Sequence, residues 1–338
     1  YTPFSHDITD ALNEGVNILK MKVLDATEGY QVRGKQCLRP HGIWGSRVSG
    51  IWQTVWLEEV PERFLADLDF ETVEEAGGSP VDGDQKSEDG GRQPDGGKEK
   101  KVFLVVKPKL AGKAMAGEKV RVTASFKGKE ITTATGAGRL AMEIAEPQWW
   151  TPEQPNLYDL KVEVLDGKGK ALDTVTSYSA LRQVGKARDL GGNLRITLNG
   201  KPVFLFGPLD QGWWPDGLLT PPSDAAMVSD LEFIKSAGFN MLRKHVKVEP
   251  ARYYYHCDRL GIAVWQDQAN AGTWDKDPPA GITPKWTRLA PDPQDAVWPE
   301  DAHQQWVAEY KAMVDHLRDH PSVLIWCPFN ESWGQHRS

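Results

Sequence analysis

The 338-residue sequence has no apolar run of 18 or more residues, so no membrane-spanning helix is expected. It has only three cysteines, Cys37, Cys257 and Cys327. They stand too far apart for a C-x-x-C metal or redox pair, and their odd number argues against a disulfide framework. Positive charge is not in excess: the net charge is -7, which offers no broad attraction to nucleic acid or to an anionic membrane. No G-x-G-x-x-G phosphate cradle follows the first strand of the α/β part. The opening Tyr1-Thr2-Pro3-Phe4 does not resemble a secretory leader, and the first residues read as the interior of a domain that begins upstream. What is present, 40% hydrophobic and 26% charged residues, describes a folded chain of two or three domains with a neutral or small-molecule ligand. The 14 tryptophans stand out. About two thirds are expected to fill cores, leaving the others as flat platforms of the kind that sugar rings stack on.

Residues 1–60 read as all-β. Asn17 to Val23 alternates polar and apolar, and Gly50 to Glu58 is aromatic and β-branched. From Pro61 to residue 184 follow candidate strands at Arg63 to Phe70, Val102 to Val106, Val120 to Phe126, Leu140 to Ile144, Tyr158 to Leu165 and Ala171 to Tyr178. Short strands with Gly-Lys turns predict an immunoglobulin-like β-sandwich. Within it, residues 77–101 carry almost nothing apolar and are expected to form a disordered surface insertion.

After Gly191-Gly192 the period changes. Val203 to Phe206 reads as a strand, and Ser223 caps a helix with an apolar face of Met227, Val228, Leu231 and Ile234, stopped at Gly238. Strand Met241 to His245, a helix from Pro250 to Gly261 and strand Ile262 to Trp265 repeat the pattern. A fourth unit has helix positions Trp306, Tyr310, Met313, Val314 and Leu317 and strand Val323 to Trp326. Successive β/α units demand a parallel sheet, read here as the first half of a (β/α)8 TIM barrel spanning residues 185–338. Eight strands close a barrel, so four more are expected beyond this sequence.

Barrel chemistry gathers at the C-terminal ends of the strands. The candidates are Asp210, Trp213, Trp214 and Asp216 after strand one; Arg243 and His245 after strand two; Gln266, Asp267 and Asn270 after strand three; and Asn330, Glu331 and Trp333 after strand four. Glu331, beside Trp333 and beneath a lid, is expected to be partly desolvated, a condition under which a carboxyl serves as an acid near neutral pH. The same position suits a helix cap or an ion pair equally well. Asn330 would donate to a sugar hydroxyl or tie down its loop. Arg243 and His245 would bind hydroxyls or orient a carboxylate, or Arg243 would be a structural brace; Asp267 would brace the Arg243 network or take part directly in catalysis. The Trp213-Trp214 pair reads as a sugar platform or as loop packing.

Four segments in order, Ser49 to Glu58, Trp149 to Tyr158, Gly238 to His245 and His320 through Ser332, resemble glycoside hydrolase family 2, the group of the β-galactosidases, β-glucuronidases and β-mannosidases. The resemblance implies a jelly-roll sugar-binding domain ending within residues 1–60, an immunoglobulin-like domain and a catalytic barrel, with hydrolysis of O-glycosidic bonds that retains anomeric configuration. It makes Glu331 the general acid/base, Asn330 the Asn that precedes it, and Arg243 the Arg near the acidic centre. The nucleophile, a second Glu later in the barrel, would follow Ser338, so this stretch alone is expected to be inactive, with an open sheet edge. Gly207 to Gly212 replaces the Asn-Arg-His-Glu run of many β-galactosidases, and Gly272 and Trp274 stand where some members hold magnesium. No metal or other cofactor is therefore expected, and the partner is a β-glycoside. A carbohydrate-binding or scaffolding protein that has lost catalysis is the competing expectation.

Overall fold

The computed structural model describes residues 1–26, 30–76, 100–269 and 298–332. Among them, β1 (Gln36–Cys37) and β2 (Gly45–Ser46) form a short parallel pair. The next seven strands are β3 (Arg63–Ala76), β4 (Lys100–Gly112), β5 (Lys119–Phe126), β6 (Lys129–Gly136), β7 (Leu140–Glu143), β8 (Tyr158–Leu165) and β9 (Ala171–Ser179). They make two antiparallel sheets, β3-β4-β7 and β6-β5-β8-β9. Alternation produces their inner faces. Val120, Val122 and Ala124 of β5 point inward opposite Val164, Val162 and Leu160 of β8, and meet Val102, Leu104 and Val106 of β4 with Leu140 and Met142 of β7 in one core. The sheets therefore face each other as a sandwich. β6 has no counterpart among the predicted strands, because its mostly exposed Lys129-Glu130-Ile131-Thr132-Thr133 shows no apolar alternation. Of the insertion expected at 77–101, residues 77–99 lie outside the described residues. Lys100 and Lys101 are not part of it, being paired in β4 with Ala76 and Glu75.

The N-terminal expectation is corrected more strongly. Neither Asn17 to Val23 nor Gly50 to Glu58 is a strand. Alternation offers a strand a face but not a neighbour, and with no ladder partner Val16, Ile18, Leu19, Trp56 and Leu57 are left exposed. The segment instead leans on the far end of the α/β part. Gln53 Nε2 donates to Val248 O (3.2 Å), Thr220 Oγ1 donates to Trp52 O (3.0 Å), and the Lys247 ammonium lies 5.2 Å from the Trp52 ring.

β10 (Val184–Arg188), β11 (Leu194–Leu198) and β12 (Lys201–Pro202) form a small antiparallel sheet before the α/β part. Then β13 (Leu209–Asp210), α1 (Asp224–Ser236), β14 (Met241–Lys244), α2 (Ala251–Leu260), β15 (Ala263–Asp267), α3 (Glu300–Leu317) and β16 (Val323–Cys327) alternate. The four strands pair in parallel in chain order, and the helices bury Met227, Leu231, Tyr253, Tyr254, Cys257, Met313 and Leu317 against Leu242, Val264 and Val323. Ser223 caps α1 as expected, its Oγ accepting from Ala226 N at 3.1 Å.

Strand one is displaced from Val203 to Phe206 to β13. Pro202 and Pro208 carry no N–H for a ladder, and the Asn240 side chain bonds Phe206 N (2.8 Å) and Phe204 O (2.8 Å) in its place. Gly207 then passes so close to β14 that a Cβ there would stand 1.7 Å from Met241 O. Only from Pro208 onward does the chain pair regularly, Pro208 O accepting from Arg243 N at 2.9 Å.

The Trp149 to Tyr158 segment fastens the sandwich to this sheet. Trp150 is fully buried and donates its Nε1–H to Asp258 O at 2.8 Å. The Asp258 carboxylate in turn accepts from Tyr178 Oη (2.7 Å), from Ser322 N (2.9 Å) and from His320 Nδ1 (2.7 Å).

Candidate active site

Neighbouring residues of a strand point to opposite faces, and on β14 this divides the charged groups of the mouth into two clusters. Arg243 belongs to the first. Its Nε and Nη2 donate to the two oxygens of fully buried Asp267, both at 2.9 Å, in the fork geometry that makes Arg-carboxylate pairs strong. Nη2 also donates to Asn330 Oδ1 at 2.9 Å. His245 Nδ1 lies 3.2 Å from the second Asp267 oxygen, and the Cys327 thiol closes the group 3.9 Å from Arg243. The Arg243–Asp267 pair thus ties together the ends of β14 and β15 and the turn after β16.

Burial works against the charged form of Arg243, yet Asp267 holds its pKa above the ordinary value. Burial, seconded by Asp267, pushes the Cys327 thiol up to about 11, so at neutral pH it is an uncharged and poor nucleophile. His245 Nε2 and Asn330 Nδ2 are buried without a hydrogen-bond partner among the described residues. Both are left with unused hydrogen-bonding capacity.

Glu331 follows Asn330 at the top of β16, held by a turn in which Phe329 stacks on Trp306 of α3 at 4.6 Å between ring centroids. Its backbone sits at φ 50°, ψ 30°. That left-handed conformation costs a residue with a Cβ about 1–2 kcal/mol, and strain of this kind collects at functional sites. The expected desolvation is not met: Glu331 is exposed, because the described residues place no lid over it. Trp333, like Asn270, Gly272 and Trp274, lies outside the described residues.

The second cluster faces the helices. Lys244 is fully buried and donates to Asp210 Oδ2 and Glu249 Oε1, both at 2.7 Å. Asp210 also accepts from Tyr253 Oη (2.7 Å) and Gly212 N (2.7 Å). Asp210, a candidate at the end of strand one, thus braces Lys244 on the face of the sheet opposite Arg243. Gln266 is likewise consumed, accepting from Tyr254 Oη at 2.6 Å and donating to Lys247 O at 2.7 Å. The tryptophan pair divides too. Trp214 packs against the helix-side core, whereas Trp213 lines a recess at the mouth with His245 and Lys35. Asp216 is exposed and bonds its neighbour Gly217 N.

The brace has a pH signature. Burial raises the Asp210 pKa, but the Lys244 ammonium and the donors around it outweigh that and hold it at about 2, against an ordinary 3.8. A depressed carboxylate contributes stability that is present above its unfolded pKa and lost as pH falls toward the folded one. Denaturant titrations between pH 5 and pH 2 are therefore expected to lose about 2 kcal/mol from this group. Asp210→Asn should flatten the slope, and an unaltered slope would contradict the assignment.

Three residues of the mouth escaped the sequence reading. Lys35 arrives from the N-terminal segment. Val246, at φ 48°, is a β-branched residue in the left-handed region, beside His245. Glu249 anchors both Lys244 and Lys247. No local pattern marks Lys35 or Val246, whereas Glu249 could have been found from the alternation of charges in Lys244 to Glu249. Among the described residues no group of three or more His, Cys, Asp and Glu side chains is placed to hold a metal ion.

Comparison with known proteins bears on the family and the fold. A sequence profile described as "Glycosyl hydrolases family 2" matches residues 75–182, and one described as "Glycosyl hydrolases family 2, TIM barrel domain" matches residues 194–338. A β-galactosidase of Photobacterium profundum is 35% identical over 192 residues, covering 56% of this chain and 16% of that protein. A β-galactosidase of Oenococcus oeni is 25% identical over 353 residues, covering 98% of this chain and 29% of its own length. Among solved structures, a β-D-glucuronidase from Dictyoglomus thermophilum superposes with a TM-score of 0.56 at 17% identity, covering 79% of this chain and 38% of that one. At that identity the likeness concerns the fold. The chain spans less than a third of the curated relatives it matches.

Proposed function

This chain belongs to glycosyl hydrolase family 2, and on that premise we propose that it carries the acid/base half of a retaining β-glycosidase site. Glu331 protonates the glycosidic oxygen as a carboxylate about 5–5.5 Å away attacks the anomeric carbon, then activates the water that releases the sugar. That nucleophile comes from a barrel strand beyond β16. Asn330, whose Oδ1 is taken by Arg243, offers its Nδ2 to a sugar hydroxyl, and Trp213 supplies an apolar ring face. Arg243 and Asp267 hold this half of the site rigid.

Within the same reading, residues 1–60 are the closing part of a jelly-roll sugar-binding domain, 61–184 an immunoglobulin-like sandwich, and 185–338 the first four β/α units of the barrel. The substrate is a β-galactoside or β-glucuronide.

The observation that carries the proposal is the convergence of Arg243, Asp267 and Asn330 beneath a strained Glu331 at the C-terminal edge of a parallel sheet. The test is to incubate the full-length protein with aryl β-galactosides, β-glucuronides and β-mannosides and follow the released sugar by NMR. One class should be cleaved with the β-anomer appearing first, at a rate unchanged by chelator. Initial release of the α-anomer, or no cleavage of any β-glycoside, would overturn the proposal.

A further inference from the structure

Lys35 is only 8% exposed, yet its ammonium makes no hydrogen bond or ion pair with any described residue. Its position is built. Gly34 lies so close to the β14 side of the mouth that a Cβ there would stand 2.8 Å from Val246 O, and Gly45 N bonds Lys35 O at 2.8 Å. Tyr1 Oη donates to Arg33 O (3.2 Å), and Gln36 Nε2 to the same carbonyl (2.6 Å), pinning the turn. Lys35 thereby lines the recess that also holds His245 and Trp213, a space of about 10 Å³, room for one water-sized group. His245 brings a second unpartnered atom, its buried Nε2.

The stem of Lys35 is buried while its ammonium keeps some contact with solvent, and a partly desolvated cation gains when an anion meets it. The nearby carboxylates do not serve. Asp267 is engaged by Arg243 and His245, Asp210 and Glu249 by Lys244. Glu331 attracts Lys35 without pairing with it, and burial still depresses the Lys35 pKa. In the step where Glu331 carries the proton, Lys35 is left as an unbalanced positive charge at the mouth.

We propose that Lys35 determines substrate specificity by binding an anionic substituent, a carboxylate or a sulfate ester, on the sugar held at this mouth. A point charge on a flexible stem suits either group, and a substituent oxygen fits the recess between Lys35 and His245. The inference rests on the glycosidase reading above, and it assigns the N-terminal segment a direct part in choosing the substrate.

The experiment compares kcat/KM of the full-length protein for an aryl β-glucuronide against the β-glucoside, and for an aryl β-galactoside 6-sulfate against the β-galactoside. In wild type one acidic substrate should exceed its neutral partner; which pair responds distinguishes carboxylate from sulfate. Lys35→Met should shrink that ratio by about 10- to 100-fold, the size expected for a charge-assisted hydrogen bond, and Lys35→Arg should restore part of it. A ratio that Lys35→Met leaves unchanged, or a wild type that favours both neutral sugars, would overturn the inference. If no glycoside is cleaved the glycosidase reading fails on its own. Calorimetric binding of glucuronate against glucose, and of galactose 6-sulfate against galactose, then decides, with loss of the acidic preference in Lys35→Met as the supporting result and its retention as the contrary one.

Discussion

Glu331→Gln should lower kcat/KM of the full-length protein on an alkyl or disaccharide β-glycoside by about 10²- to 10⁴-fold, the usual worth of a positioned general acid. On a dinitrophenyl glycoside the loss in the first step should nearly vanish, because that leaving group departs without a proton. Such a pattern belongs to an acid and not to a binding residue, whose removal would depress both substrates alike. The structure makes Glu331 a fair object for this test. It is exposed and has no hydrogen bond or ion pair among the described residues, so the substitution disturbs no packing. An equal loss on both substrates would remove the acid/base assignment.

The second large effect is expected at Asp267. Its carboxylate is fully buried, accepts both arms of Arg243 and faces His245. Asp267→Ala leaves the guanidinium without its counter-charge, and breaking a buried pair in this way costs about 3–5 kcal/mol. Since Arg243 also holds Asn330 Oδ1, the turn carrying Glu331 loses its anchor, and misplacement of about 1 Å can cost about 10²-fold in rate. Denaturant unfolding of the single variant and of Asp267→Ala/Arg243→Met separates the two consequences. The double variant should be more stable than the single one, because no orphaned charge remains, while its activity stays low. A single variant at least as stable as the double one would mean that Asp267 does not balance Arg243.

Much of the fold could be read in the sequence wherever structure is decided locally. Helices α1 and α2 declare themselves by apolar residues at helical spacing between Ser223, Gly238 and Gly261, and the sandwich strands by alternation between turns. Reading failed where partners come from far along the chain. β6 is invisible because its surroundings are solvent, and Asn17 to Val23 misleads because alternation does not supply a neighbouring strand. Strand one moved because Asn240, more than thirty residues away, bonds the backbone it would have used.

The site divides in the same way. Arg243, Asp267 and Asn330 stand at the ends of apolar strands and meet in the structure. Asp210 stands at a strand end as well, but pairs with Lys244 and so follows it to the helix side. Lys35, which reaches the mouth across some two hundred residues of sequence, leaves no local signal.

The most direct measurement is the product formed by Glu331→Ala in the presence of azide. In the full-length protein, azide should restore turnover of a dinitrophenyl β-glycoside and yield the β-glycosyl azide. The anion takes the place of the water that Glu331 would have activated, on a glycosyl-enzyme formed by the other carboxylate. The α-glycosyl azide would contradict the account, since it arises when the residue removed is the nucleophile and azide attacks the substrate in line.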